Sequence, residues 1–228
     1  QKWKQLGKEI PTPKAVIVIS AHWLSKGTRI TAMDFPRTIH DFGGFPKALF
    51  DVQYKVSGHP ELAKETASII RSTTVEMDHD WGLDHGAWTV VRHMYPEANI
   101  PVLQLSIDYS QGPQYHYELA KELADLRKKG VLIMGSGNMV HNLRMVAWDK
   151  INEPEYGFDW AVQMNTKFKD LIRLNILVKE EKPCYYLYRV TDLRNAYVYS
   201  GMVGAASVDD YLNGKIKGHE NTLSHKEE

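Results

Sequence analysis

Ala15-Val16-Ile17-Val18-Ile19-Ser20 is the stretch on which the fold turns. A strand with one wet face alternates apolar and polar residues, whereas an unbroken β-branched run needs cover on both faces. Two further segments share this character, Pro101–Ile107 (PVLQLSI) and Val131–Gly135 (VLIMG). Between and around them the pattern turns helical. His59–Arg71 places Leu62, Ala63, Ala67, Ile69 and Ile70 at helical spacing. His85–Tyr95 reads as a helix stopped before Pro96, and Gln114–Lys129 as one ended by Gly130. Asp159–Asn175 is a further amphipathic helix, Gln1–Glu9 a short one closed by Pro11-Thr12-Pro13, and Thr73–Met77 a short strand. Strands alternating with helices of roughly 10–15 residues predict an α/β fold. The expectation is one domain over 1–228, with a central, largely parallel sheet flanked by helices on both faces. After Asn175 the reading changes to a charged turn at Lys179–Pro183, a tyrosine cluster (Tyr185, Tyr186, Tyr188, Tyr197, Tyr199) and a polar tail.

Composition narrows the function classes. The 228 residues carry 28 basic and 28 acidic side chains, a net charge of zero. Such a balance offers no basic excess to displace counterions from a phosphate backbone, so no nucleic-acid partner is expected. No apolar run approaches the ~20 residues that span a bilayer, so no membrane partner is expected. The single cysteine, Cys184, excludes an internal disulfide and a cysteine-built zinc cage, and it fits a reducing, cytoplasmic setting. Oligomeric state is not legible.

Ten histidines remain to be explained. In open α/β sheets, ligands bind outside the carboxyl ends of the strands. His22 follows the first apolar run in Ser20-Ala21-His22-Trp23, and His141 follows the third in Gly135–Asn142. His40 lies in the glycine-rich loop Thr38-Ile39-His40-Asp41-Phe42-Gly43-Gly44-Phe45-Pro46. His85 stands in Leu83-Asp84-His85-Gly86-Ala87-Trp88, where Asp84 is placed to cap the next helix. Each has a plain structural explanation: a turn histidine at 40, a helix-start residue at 85, a packed interior ring at 22. Their conjunction at turns after buried elements predicts that the four converge on one pocket. Imidazole suits zinc and iron, and it also titrates near neutral pH.

These stretches, with Pro101–Asp108 and Ser136–Leu143, resemble the DODA-type branch of the class III extradiol ring-cleavage dioxygenases, the LigB-like superfamily. They occur in order from Trp3 to about Asn175, and the remainder, 176–228, diverges. The resemblance implies an α/β fold with a non-haem metal site that opens a catechol, such as DOPA, beside its hydroxyls using Fe(II) and O₂. Zn(II) is an alternative bound metal. It further implies that His40 is a metal ligand, that His141 is the acid/base residue beside the metal and an adjunct ligand, and that His22 and His85 are catalytic pocket residues. Trp23, Phe42, Phe45 and Trp88 would wall an aromatic substrate. The family's other two ligands sit in an N-terminal His-Gly-Ser-Pro motif, whose place lies upstream of Gln1, and in a C-terminal segment unmatched after Asn175. His219 and His225 are the histidines in that tail. Two histidines alone are expected to hold a divalent metal weakly, since catalytic sites use about three protein ligands. The competing expectation is therefore a zinc-binding or metal-free relative acting as a binding protein. A metallohydrolase is a third possibility, disfavoured because no positioned carboxylate base is legible.

Overall fold

The computed structural model describes residues 2–137, 145–150, 152–153, 156–178 and 200–201. The chain runs α1 (Lys2–Glu9), β1 (Ala15–Ser25), β2 (Thr28–Thr31), α2 (Lys47–Phe50), α3 (Pro60–Ile69), β3 (Val75–Asp78), α4 (His85–Met94), β4 (Val102–Asp108), α5 (Pro113–Glu122), α6 (Ala124–Lys128), β5 (Val131–Ser136), α7 (Asp159–Val178) and β6 (Ser200–Gly201). The strands form one sheet in the order β3-β2-β4-β1-β5-β6. The three apolar runs are thus neighbours, with β1 between β4 and β5 and parallel to both. β2 and β3 are parallel to each other, while β2 meets β4 antiparallel and β6 meets β5 antiparallel.

Side chains alternate strictly between two cores. Val16, Val18, Val102 and Met134 point to one face, where Leu6 and Ile10 at the end of α1 and Trp88, Val91 and Met94 of α4 cover them. Ala15, Ile17, Leu103, Leu105 and Val131 point to the other, against Leu62 and Ala63 of α3, Leu119 of α5 and Leu123 and Leu126 beyond it. Helices therefore cover both faces, as an unbroken apolar strand requires. Each fully buried Val, Leu or Ile contributes about 1.5–3 kcal/mol relative to exposure. At Gly7 the first layer is packed so closely that a Cβ would lie 2.3 Å from the Met94 carbonyl oxygen of α4.

Three details differ from the sequence reading. β1 does not stop at Ser20 but continues to Ser25, and its register with β4 jumps from Ile19↔Leu105 to Leu24↔Ile107. Five steps along β1 oppose two along β4, so Ser20–Trp23 bulge out of that ladder. His22 accordingly sits within the strand, on its bulge, rather than after it. The strand β2 and the short helix α2 were not legible. Finally, the helix over 114–129 is two pieces, because Leu126, Lys129 and Gly130 donate to carbonyls three residues back, tightening the end of the helix. The segment 138–144, with His141, lies outside the described residues, as do Cys184, the tyrosine cluster over 185–199, His219 and His225.

Candidate active site

The site forms where the carboxyl end of β1 meets the amino end of α4 and the loop between β2 and α2. Asp84 is the N-cap of α4, and its Oδ1 accepts the Ala87 N–H at 3.0 Å. It is fully buried, and each of its oxygens is used. Ser20 Oγ donates to Oδ1 at 2.8 Å, and Gln104 Nε2 donates to Oδ2 at 2.8 Å, while the Asp84 N–H donates to Gln104 Oε1 at 2.8 Å. A buried carboxylate is tolerated when both of its oxygens have donors, and this one ties α4 to both β1 and β4. Ser136 Oγ adds a bond to the Gly86 carbonyl at 2.7 Å, so β5 grips the same helix end. Gly86 has no room for a side chain. A Cβ there would lie 2.5 Å from Ser20 Oγ and 3.0 Å from the His22 ring.

This anchoring brings His85, the first residue of α4, against His22 on the β1 bulge. Their ring centroids are 3.9 Å apart, tilted by 52°. Asp41 lies against both. Its Oδ1 accepts the His85 backbone N–H at 2.8 Å and lies 2.9 Å from His85 Nδ1, at an angle off the line of an ideal ring hydrogen bond. Its Oδ2 lies 3.6 Å from His22 Nδ1. Burial pushes the Asp41 carboxyl up, but the His85 backbone hydrogen bond, the close approach of its ring nitrogen and the His85 charge outweigh it and hold the group below its ordinary value. The N-terminus of α4 favours the same ionised form. One ligand atom from each of His22, Asp41 and His85 falls within 4.8 Å of the others, a two-imidazole, one-carboxylate set whose chemistry suits a divalent metal.

His40 stands one ring further away. Phe42 packs edge-on between it and His85, with centroid distances of 5.8 Å and 5.4 Å. The His40 ring also touches Phe50 and Trp88, and its Nε2 is 2.9 Å from the Val52 carbonyl. A carbonyl only accepts, so that nitrogen carries the proton and Nδ1 keeps the lone pair. Backbone bonds hold this loop in place. Ile39 N–H donates to the Leu83 carbonyl, Leu83 N–H to that of Arg37, and Trp88 Nε1 to that of Ile39 at 2.9 Å. Trp88 and Trp23 are core residues, 1% and 4% exposed, and Trp23 stacks on Trp81. Phe45 is exposed, and with Phe42 it forms the open aromatic rim.

The structure thus gathers His22, His85 and, through Phe42, His40. Asp41, Ser20 and Gln104 were not singled out from the sequence. Asp41 also corrects the expectation that no positioned carboxylate is present. Its sequence signal was adjacency to His40 in a rigid glycine-bearing loop, but partners 19 and 44 positions away are invisible in one sequence.

A family model described as the catalytic LigB subunit of aromatic ring-opening dioxygenase matches residues 1–216. A protein of Escherichia coli K12 named 4,5-DOPA dioxygenase extradiol is 44% identical over 177 residues, covering 77% of this chain and 63% of that protein. One of the same name from Mirabilis jalapa is 36% identical over 165 residues, covering 72% of this chain and 60% of that protein. The crystal structure of an uncharacterized protein from Escherichia coli K12 superposes with a TM-score of 0.61 at 36% identity, covering 78% of this chain and 66% of that one. The chain therefore spans about six tenths of the length of the named relatives it matches. The motif resemblance read from the sequence holds, and the chain belongs to the family of the catalytic LigB subunit of aromatic ring-opening dioxygenases.

Proposed function

We propose that the protein is an extradiol dioxygenase that opens the ring of a catechol such as DOPA with O₂. The observation that carries this reading is the His22–Asp41–His85 cluster beside the Phe42–Phe45 rim, at the strand ends where such folds bind ligands. The names of the relatives support the same substrate class. The aromatic rim supplies apolar surface for a planar ring, and the histidines supply the polar groups that fix its orientation. A catechol binds as an anion only after losing a proton. A neutral imidazole at His22 or His85 takes it, with His141 assigned the same acid/base role by resemblance. The charge left on the substrate oxygen is then stabilised by whichever imidazole holds the proton.

The metal in this reading is Fe(II), with Zn(II) as an alternative occupant, held by His40 and His141. His40 fits this role on its own geometry. A ligating histidine usually donates its second N–H to a carbonyl or carboxylate, and the His40–Val52 bond provides that arrangement, leaving Nδ1 to the metal. When bound, Fe(II) supplies a Lewis acid for the catechol oxygens and the redox partner for O₂. Every residue named lies within 1–228, which we treat as one domain. Among the described residues no helix is long and apolar enough to cross a membrane, and the single cysteine supports a reducing, cytoplasmic setting.

The test is metal analysis of the protein followed by anaerobic Fe(II) loading and a catechol cleavage assay. The expected result is ring opening that depends on Fe(II), with His40→Ala losing the metal. Full-length protein that takes up no metal overturns the enzyme reading. Zinc uptake without catechol turnover supports instead a zinc-binding, non-catalytic relative.

A further inference from the structure

From the way one carboxylate meets two imidazoles, we infer that Asp41 is a positioning residue that fixes the ring orientation and tautomer of both His85 and His22. Asp41 Oδ1 accepts the His85 backbone N–H at 2.8 Å and lies 2.9 Å from ring Nδ1, an electrostatic contact off the line of a ring hydrogen bond. The backbone bond fixes where the side chain starts, and the negative carboxylate 2.9 Å away favours the ring orientation and tautomer that turn an Nδ1–H toward it. Asp41 Oδ2 lies 3.6 Å from His22 Nδ1, beyond hydrogen-bond length, so the same side chain acts on the second ring through its charge alone. An ionised carboxylate only accepts hydrogen bonds, so a neutral imidazole beside it keeps its proton on Nδ1. The lone pair is then on Nε2, and Nε2 becomes the atom that takes a proton from substrate. Without Asp41, neither the protonated nitrogen nor the ring plane is specified, and part of the population presents N–H where the reaction needs a base. Asp41 itself reaches substrate only through these two rings.

The carboxylate is placed by the same loop that places His40. Ile39 pairs with Leu83, and Trp88 Nε1 holds the Ile39 carbonyl, so residues 39–41 and the start of α4 move as a unit. Asp41 thereby ties the orientation of the proton-handling rings to the position of the neighbouring His40.

The inference rests on the ring-cleavage reading only for its kinetic part; the tautomers are observable whether or not the protein turns over. Protein labelled with ¹⁵N-histidine is compared with Asp41→Asn by long-range ¹H–¹⁵N NMR, by zinc stoichiometry, and by kcat and KM for a catechol after Fe(II) loading. The wild-type spectrum is expected to show His85 and His22 as Nδ1–H tautomers. In Asp41→Asn both shift toward Nε2–H, zinc stoichiometry stays unchanged, and kcat falls roughly 10–100-fold while KM moves little. Unchanged tautomers in Asp41→Asn overturn the inference. So does loss of zinc in that variant, which would make Asp41 a ligand rather than an orienting group. Should the variant not fold, the wild-type spectrum decides alone, since a His85 protonated on Nε2 is incompatible with the proposed clamp. Wild-type protein with the expected tautomers but no ring cleavage would sink the dioxygenase reading and leave the clamp standing.

Discussion

The two faces of the sheet are built from the same three strands yet do opposite things. On the face covered by α3, α5 and α6, the side chains stay apolar from the amino end onward: Ala15, Ile17 and Ile19 on β1, Leu103 and Leu105 on β4, Val131 and Ile133 on β5. On the face covered by α1 and α4 they begin apolar and then switch. Val16 and Val18 give way to Ser20, Val102 to Gln104, and Leu132 and Met134 to Ser136. Ser20 and Ser136 stand opposite each other and Gln104 lies one same-face step back on β4, and together the three hold the amino end of α4 with His85. One face is a pure packing surface. The other sacrifices apolar area for a buried hydrogen-bonded shelf on which His85 and its neighbours are mounted. Polar burial of this kind stabilises only when complete, so the site face should be less forgiving of partial changes than the packing face.

The comparison is most exposed at Asp84. Asp84→Ala strips partners from Ser20, Gln104 and Ala87 together, and each buried group left unpaired costs about 1–3 kcal/mol. We expect a loss of about 4 kcal/mol in urea unfolding, together with loss of site function. A loss under about 1 kcal/mol would show that the shelf carries no special strain on the fold.

Leu103→Ala probes the packing face alone. Leu103 is fully buried against the helices opposite the site, and its truncation should cost about 3 kcal/mol through lost contacts and a residual cavity. Site properties, measured as metal affinity and histidine spectra well below the unfolding midpoint, should not change. If they do, the two faces are coupled and the contrast between them fails.

Gly86→Ala sharpens the argument with a single added carbon. Its Cβ would come within 2.5 Å of Ser20 Oγ, so either α4 retreats or Ser20 abandons Asp84. Overpacking of this type costs about 2 kcal/mol, and the His22–His85 ring contact should loosen with it. A crystal structure of the variant with both rings unmoved would contradict this account.

The smallest effect lies at the margin of the packing face. Glu122 accepts the backbone N–H groups of Arg71 and Ser72, closing the connection from α3 to β3. Although what burial it has pushes the carboxyl up, these bonds and the nearby Arg71 charge hold it below its ordinary value. Because its folded value is depressed, the stabilisation is complete above the ordinary glutamate value and is lost as pH falls through the folded one. Glu122→Gln should therefore cost less than about 1 kcal/mol at neutral pH and flatten the acid limb of the stability curve slightly. An acid limb identical to wild type would remove Glu122 from the account.

How much of this was legible follows from the range of each signal. The runs at 15–20, 101–107 and 131–135 were readable because burial on both faces leaves its mark in consecutive residues. Asp84 as a cap was readable because its partner is three residues away. β2 was missed because Thr28-Arg29-Ile30-Thr31 is short and carries a charge, and its place is set by pairing with β3 and β4. The bulge that presents His22 was missed because it is a property of the β1–β4 register, not of Ser20–Trp23 alone. Asp41 stood in a quoted motif without a role, since its meaning depends on two rings brought in by other elements. Ser20 and Gln104 likewise look ordinary until the fold brings both onto Asp84.

Three contacts at this site end on main-chain oxygens: His40 on Val52, Trp88 on Ile39, and Ser136 on Gly86. The amino-acid identity at the accepting position is irrelevant to such a bond, because every residue type brings the same carbonyl. A scan of side-chain substitutions would therefore pass over Val52 and Ile39 as tolerant positions, although His40 takes its orientation from one and the loop its anchor from the other. Insertions and deletions are another matter. Removing one residue from the turn that carries Val52 would displace the oxygen by about 3.3–3.6 Å, farther than the hydrogen bond is long. The vulnerability of this part of the molecule lies in its spacing rather than its spelling, and length variants between Phe45 and Tyr54 are the changes through which relatives sharing every histidine could come to differ in activity.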